Sequence, residues 1–335
     1  MKAEENTFLG SNFLTFIGIF LFIALMFGAN FYFGEFGSIS SEVKDERFVV
    51  PTDYTSNEEI ISKLNKEGFI KSEWAFNFAL NWKGFQKNIE PGGYKLSKSM
   101  DAWKMSEIFM SGPYMKWVTI PEGLRKEEIA DILAKELGWD NDKKNNWITK
   151  DTISPPEYFE GVYFPDTYLI PLAESGADVA KRLQNKFQEK FASYSKEALK
   201  QNIKWNTVIK LASIIQREAG SKDDMPLISG ILWNRLDKKM PLQVDCTIQY
   251  ARGDTGNGWW APINAEDKKI NSPYNTYIKK GLPPIPISNP GIEAIDAVIN
   301  PTKTECLFYL HDEDGQIHCS KTYEEHKQNI EKYLL

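Results

Sequence analysis

The 335-residue chain is poor in the residues that build metal centres and disulfide frameworks: it has three Cys and three His. Cys246, Cys306 and Cys319 form no C-x-x-C, and an odd number is not a complete framework; the count allows one bridge or three free thiols. His311, His318 and His326 lie near the C-terminus at spacings that do not suit zinc, so no metal and no cofactor is expected. No long basic run occurs. Forty Lys and Arg stand against 46 Asp and Glu, a formal net charge of −6, and the basic face of a nucleic-acid binder is missing. With 42% hydrophobic and 26% charged residues, collagen-like, low-complexity and wholly disordered classes are excluded. The length suggests about two domains. Ten Trp and 14 Tyr suit sugar-binding sites and plain cores alike.

One stretch lacks charge altogether. From Asn6 to Gly34 no residue is charged, and the apolar centre from Phe13 to Phe33 is 21 residues long. At about 1.5 Å per residue it reaches roughly 31 Å, enough to cross a bilayer core. A cleaved signal peptide has a shorter apolar region followed by a small-x-small site, and Phe27-Gly28-Ala29 is a poor one. An uncleaved anchor is expected over residues 1–34, its short tail cytoplasmic and the rest of the chain extracytoplasmic. The charge arithmetic gives little support for that orientation, since Lys2 faces Glu4 and Glu5 on one side and Lys44 and Arg47 lie beyond Glu35 and Glu42 on the other.

Residues 35–46 are polar and aperiodic and read as a linker. Phe48-Val49-Val50-Pro51 predicts a strand, and Ser56-x-x-Glu59 opens a helix through Ile60, Ile61 and Leu64. The succession recurs. Gly93-Tyr94-Lys95-Leu96 precedes Ser99 and a helix through Trp103 and Ile108. Trp117-Val118-Thr119-Ile120-Pro121 precedes Glu127, Glu128 and a helix through Ile129, Leu133 and Leu137. Three such successions suggest small α+β packing, although strand, cap and helix also recur by accident. Asp140 to Tyr158 is polar, carries Pro155-Pro156, and reads as a connection. A helix over 177–192 places Val179, Leu183, Phe187 and Phe191 on one core-facing stripe.

The most informative segment is Trp205 to Gly220. Asn206 or Thr207 can cap it and Gly220 can end it. Val208, Leu211, Ile214 and Ile215 form its apolar face, and Glu218 lies roughly 20° from Leu211 and 40° from Ile214 on the helical wheel. A carboxyl therefore projects from the core-facing side, while Lys210 and Arg217 point elsewhere. Partial burial and the negative helix end both favour the neutral acid, which a glycosidic proton donor requires. The plain alternative is a last-turn Glu that frays into water. Downstream, Met225-Pro226-Leu227 starts another helix carrying Asn234 and Arg235. Leu242-Gln243-Val244-Asp245 leads into Thr247-Ile248-Gln249-Tyr250, a polar and apolar mixture suited to a polyhydroxylated ligand; Asp245 could equally be a helix cap. The proline-rich run from Gly281 to Gly291 is a stiff loop that either presents groups to a sugar or covers the core.

These residues resemble one family. Thr119-Ile120-Pro121-Glu122-Gly123, Glu160-Gly161-Val162-Tyr163-Phe164-Pro165-Asp166-Thr167-Tyr168, Leu211 to Glu218, Asn234-Arg235-Leu236, Leu242 to Asp245, Tyr274-Asn275-Thr276-Tyr277 and Gly281-Leu282-Pro283-Pro284 occur in the order seen in membrane-anchored endolytic murein transglycosylases of the MltG (YceG-like) family. The resemblance implies an α+β fold with an N-terminal transmembrane helix, a small LysM-like module at 47–115 and a larger catalytic domain at 116–335. It implies that Glu218 is the catalytic acid, with supporting roles for Asn234, Asp245, Thr247, Gln249, Tyr274, Asn275 and Thr276. It implies a partner, the peptidoglycan glycan strand, cut between N-acetylmuramic acid and N-acetylglucosamine to leave a 1,6-anhydro end. A membrane-held site would reach nascent strands, set their length and lie close to wall synthases. Two departures stand out: Ile285 follows the two prolines where Gly is usual, and Cys319 replaces an aromatic. His326 sits where the family has a His. Two rival readings are a lysozyme-type hydrolase using Glu218 with Asp245 or Asp166, and a non-catalytic wall-binding scaffold. Product ends separate the first, and Glu218→Gln the second.

Overall fold

The structure is a computed structural model that describes residues 4–84, 87–153 and 160–335, with side chains in the first helix described from Thr15 onward. Pro155, Pro156 and Tyr158 of the sequence reading lie outside the described residues. The chain folds as two compact units, residues 1–117 with 171–173, and residues 118–170 with 174–335.

The first unit begins with α1 (Glu4–Glu35). Its stretch Thr15–Glu35 has a mean hydropathy of 2.1 and is wholly unburied, so one helix here is long and apolar enough to cross a membrane. The polar segment 35–46 is fastened rather than free. Phe36 is buried and stacks on Trp103 at 5.6 Å, its carbonyl accepts from Ala102 N, and Ile39 N donates to Lys98 O. A single aromatic in a polar run is enough to dock it. Then follow β1 (Asp45–Val50), α2 (Asn57–Lys66), α3 (Glu73–Trp82) and β2 (Gly92–Ser97). β1 and β2 pair antiparallel with Phe48 opposite Tyr94. Side chains from both strands and both helices, including Phe48, Leu64, Phe76 and Leu96, make one core.

Helix α3 has no counterpart in the sequence reading. Its outward side mixes Glu73, Asn77 and Asn81 with Trp74, Phe78 and Trp82, so large aromatics stand where a surface helix usually carries polar groups; Ser72 caps it by accepting from Ala75 N. Helix α4 (Ala102–Ser111) is capped by Asp101, which accepts from Lys104 N at 2.8 Å, and not by Ser99, whose hydroxyl is engaged with Ser97. Strand β3 (Met115–Thr119) starts in this unit, Met115 opposite Gly93.

In the second unit the end of β3 lies beside β4 (Thr167–Pro171), with Ile120 N donating to Asp166 O. Between them come α5 (Lys126–Leu137) and α6 (Asn141–Asn146), continued by one wide turn over Trp147–Asp151. The expected connection at 140–158 is thus helical in its first half. Asp140 caps it, accepting from Lys143 N, and fully buried Trp147 holds it down. α7 (Gly176–Lys200) runs eight residues past its expected end.

Helix α8 (Trp205–Glu218) is the centre of this unit. It packs against α7, α9 (Met225–Asp237), α10 (Asp245–Arg252) and α11 (Ile292–Ile299). Val208, Ile209, Leu211, Ala212, Ile214 and Ile215 are all buried, while Gln216, Arg217 and Glu218 of the last turn are half-buried and reach its edge. The proline-rich loop covers one side: Ile287 N donates to Ser213 Oγ, and Ser288 Oγ to Ser213 O. Gly161 has φ +85°, and a Cβ there would meet Ile209 and Pro286 at 2.7 Å, so the Glu160-Gly161 turn needs glycine for both its backbone and its closeness to α8. The chain ends with hairpin β5 (Phe308–His311) and β6 (Ile317–Ser320), then α12 (Tyr323–Tyr333).

Candidate active site

Glu218 is the last residue of α8, which begins at Trp205 after an extended Lys204, so Asn206 and Thr207 lie in its first turn and do not cap it. Its carboxylate turns toward α10 and β5. Oε2 accepts from the Tyr309 hydroxyl at 2.8 Å, and Oε1 accepts from Cys246 N at 3.4 Å. The Cys246 amide belongs to the first turn of α10, whose donors have no intrahelical partner. The carboxyl therefore sits at the negative end of α8 and the positive end of α10, two dipoles acting with opposite sign. Only the first was legible in the sequence.

The groups around it are held neutral. Burial, followed by the charge of Glu218, pushes the Tyr309 hydroxyl well above the ordinary phenol value. The same two causes push up the Cys246 thiol, which is buried against Glu218 and is a free cysteine. Tyr309 thus stays a donor. Arg217 does point elsewhere: its guanidinium lies 4.0 Å over the Trp260 ring, whose Nε1 donates to Glu128.

Tyr309 was not found from the sequence, and its placement is built up from several residues. Asn234 Nδ2 donates to Thr304 O at 2.8 Å and to Cys306 O at 3.1 Å. Arg235 Nε donates to Leu307 O, Nη1 donates to Leu242 O at 2.6 Å, and the guanidinium covers the Phe308 ring. A disulfide joins Cys306 to Cys319, so of the two readings of the cysteines the single bridge is the one found. Tyr309 pairs with Cys319 across the hairpin. Residue His311, two positions on and facing the same way, approaches Asp224 at 3.4 Å. His318 bonds Asp312, and the His326 ring lies over Phe308.

The other expected site residues fall into groups. Asp245 is exposed as the first residue of α10 and accepts from Tyr277 OH at 2.5 Å. Beside it, exposed Gln243 has φ +52°, a strained conformation for a non-glycine residue and one the sequence does not announce. Thr247 and Thr276 are buried, their hydroxyls 2.8 Å apart, and Val244 N donates to Thr276 Oγ1. Buried Asn275 donates to Lys268 O and Ile270 O and accepts from Tyr277 N. Gln249 donates to Trp260 O and Ala261 O. Tyr274 packs on Tyr250 at 4.8 Å, and Tyr250 in turn lies under Arg125. Asp166 accepts from Thr167 N at the start of β4.

A second acidic residue is wholly buried. Glu160 accepts from Lys126 N at 3.1 Å and from Asn289 Nδ2 at 2.6 Å. Burial, helped by the Glu127 charge and opposed by Lys126 N, Arg125 and Asn289, pushes its carboxyl up to about 8.

An α+β scaffold thus holds the Glu218 carboxyl at the end of its central helix, with the neutral donors Tyr309 OH and Cys246 N against it. The profile of the YceG-like family matches residues 48–332, and the chain belongs to that family. It is 31% identical to the endolytic murein transglycosylase of Bacillus subtilis (strain 168), covering 92% of this chain and 91% of that one. It is 26% identical to the endolytic murein transglycosylase of Streptococcus pneumoniae (serotype 2, strain D39), where 95% of this chain covers 65% of the relative. A crystal structure of a YceG-like protein from Listeria monocytogenes is similar with a TM-score of 0.60 and 26% identity, over 85% of this chain and 98% of that one.

Proposed function

We propose that this chain is a lytic transglycosylase of peptidoglycan that cuts within glycan strands, with Glu218 as its acid and base. The observation that carries this reading is the setting of the Glu218 carboxyl: Oε2 accepts from the Tyr309 hydroxyl at 2.8 Å, and Oε1 has only the longer bond from Cys246 N at 3.4 Å, which makes Oε1 the oxygen to hand over a proton. In the first half of the reaction Glu218 gives that proton to the glycosidic oxygen as the bond from muramic acid C1 breaks, and the N-acetylglucosamine end leaves with it. In the second half the carboxylate takes the proton of the muramic C6 hydroxyl as that oxygen bonds to C1. The proton is back on Glu218, no water has entered, and the product ends in 1,6-anhydro-muramic acid. Ordinary glycosidases need two carboxyls for acid and nucleophile or base; here the substrate supplies the nucleophile. The activities named for the Bacillus and Streptococcus relatives support the substrate.

In this reading Asp245 and Tyr274 touch the glycan, while Asn234, Thr247, Gln249, Asn275 and Thr276 support the site by holding its loops. The antiparallel β1-α2-α3-β2 arrangement supports a LysM-like role for residues 47–115. Helix α1 anchors the chain in the cell membrane with the catalytic domain outside, which keeps the site on nascent strands, limits their length and brings wall synthases near.

The test is a digest of purified peptidoglycan by the full chain and by Glu218→Gln, with products weighed. Products one water lighter than hydrolytic ones, from the parent alone, are expected. Hydrated products would indicate a hydrolase, and equal products from both proteins would remove Glu218 from the chemistry.

A further inference from the structure

Helix α3 carries apolar residues on two of its faces. Ala75, Phe76, Ala79 and Leu80 are buried in the first unit's core. Trp74, Phe78 and Trp82, at spacing four on the other face, are 58%, 39% and 74% exposed. Their rings are turned to one another, Trp74 on Phe78 at 5.7 Å and Phe78 on Trp82 at 5.6 Å. Such a contiguous exposed apolar ladder marks a contact with something outside the chain.

Its position says what that is. Trp74 lies 6.3 Å from Phe31 of α1 and 5.9 Å from Phe36, and Phe78 lies 6.0 Å from Phe36. Phe31 is about one helical turn, roughly 6 Å, short of Glu35, where the apolar span ends. Lys71, in the turn before α3, donates Nζ to Phe33 O at 3.0 Å. The ladder thus starts where α1 leaves the apolar layer. Indole rings, with an apolar body and one N–H, concentrate at that depth, and lysine ammonium groups reach from it toward headgroups.

We propose that the outer face of α3 is a second membrane contact, Trp74, Phe78 and Trp82 lying in the headgroup layer of the bilayer that α1 crosses. The proposal rests on the anchor reading above.

The test uses the full chain in vesicles of phosphatidylglycerol and phosphatidylethanolamine. α1 contains no Trp, so the anchor itself is silent in tryptophan emission. Parent and Trp82→Phe are compared with lipids brominated near the headgroup end of the acyl chains, and with aqueous acrylamide. Trp82 is one of ten Trp, and its exposure makes the substitution harmless to the fold. The parent is expected to lose about a tenth more of its emission to brominated lipid than Trp82→Phe, with no such difference for acrylamide. A Trp82 component quenched by acrylamide alone places the ring in water and overturns the proposal. One quenched by neither is covered by glycan or protein, such as a second copy, and also overturns it. Extraction by alkaline carbonate distinguishes the two readings. Release of the chain refutes the anchor and this contact together; retention with Trp82 in water refutes this contact alone.

Discussion

Tyr309→Phe tests the acid–base site most directly. The substitution removes one oxygen, and with it the 2.8 Å bond to Glu218 Oε2. The ring keeps its place on β5 because Arg235, Asn234 and the disulfide hold the strand independently of the hydroxyl. A hydrogen bond to a charged group contributes about 1.5–3 kcal/mol. If that contribution is made in the transition state, kcat falls by roughly tenfold to 150-fold. KM stays unchanged, because Tyr309 orients Glu218 and does not touch the glycan. The assay is the rate of release of anhydro-ended products over a range of glycan concentrations, with the melting temperature as a check on folding. Combined with Glu218→Gln, Tyr309→Phe should cost nothing further, since residues acting through one another are not additive. A parent-like kcat, or an equal loss in both backgrounds, would refute the role assigned to Tyr309.

Three further outcomes are expected. The folded carboxyl of Glu160 lies at about 8 against an ordinary 4.5, so the folded state binds the extra proton; its stabilising effect is full below about 4.5 and is lost as pH rises toward 8, with a limiting slope of about 1.4 kcal/mol per pH unit. Denaturant midpoints measured over that window should fall with pH in the parent and fall less in Glu160→Gln. Opening the Cys306–Cys319 bridge, which closes a 13-residue separation, should destabilise the second unit by about 3 kcal/mol. Because Tyr309 sits on the stapled hairpin, Cys306→Ser should also lower kcat, read in the same assay. Asn275→Ala removes the bonds to Lys268 O and Ile270 O and the one from Tyr277 N; it should lower stability by about 0.5–1.5 kcal/mol for each bond lost, read as a lower melting temperature, and raise KM little. A large KM effect on an intact fold would instead put Asn275 against the glycan.

What could be read from the sequence followed from how local its cause was. Helix α8 and the direction of Glu218 came from a helical wheel, because an angle of 100° per residue needs no tertiary information. The successions leading to α2 and α5 came from caps and alternation. Helix α3 escaped because Trp74, Phe78 and Trp82 widen its apolar arc beyond its buried residues, which blurs the boundary from which a helical period is read. Tyr309 escaped for a different reason: it lies 91 residues from Glu218, and nothing near either residue records the other. The cysteines flanking that hairpin were visible, but their pairing was not. Thr247 stands in a stretch whose composition suits a polyhydroxylated ligand, and Asn275 and Thr276 have supporting roles by resemblance. In the fold their side chains serve neighbouring carbonyls and amides, and composition does not distinguish a loop that binds itself from one that binds a sugar.

The three residues 171–173 return to the first unit, where Leu172 N donates to Tyr114 O. The chain therefore passes between its two units three times, at 117, 170 and 173. Gene rearrangement that exchanged the first unit through one crossover near Trp117 would leave Pro171, Leu172 and Ala173 fitted to a neighbour that had gone.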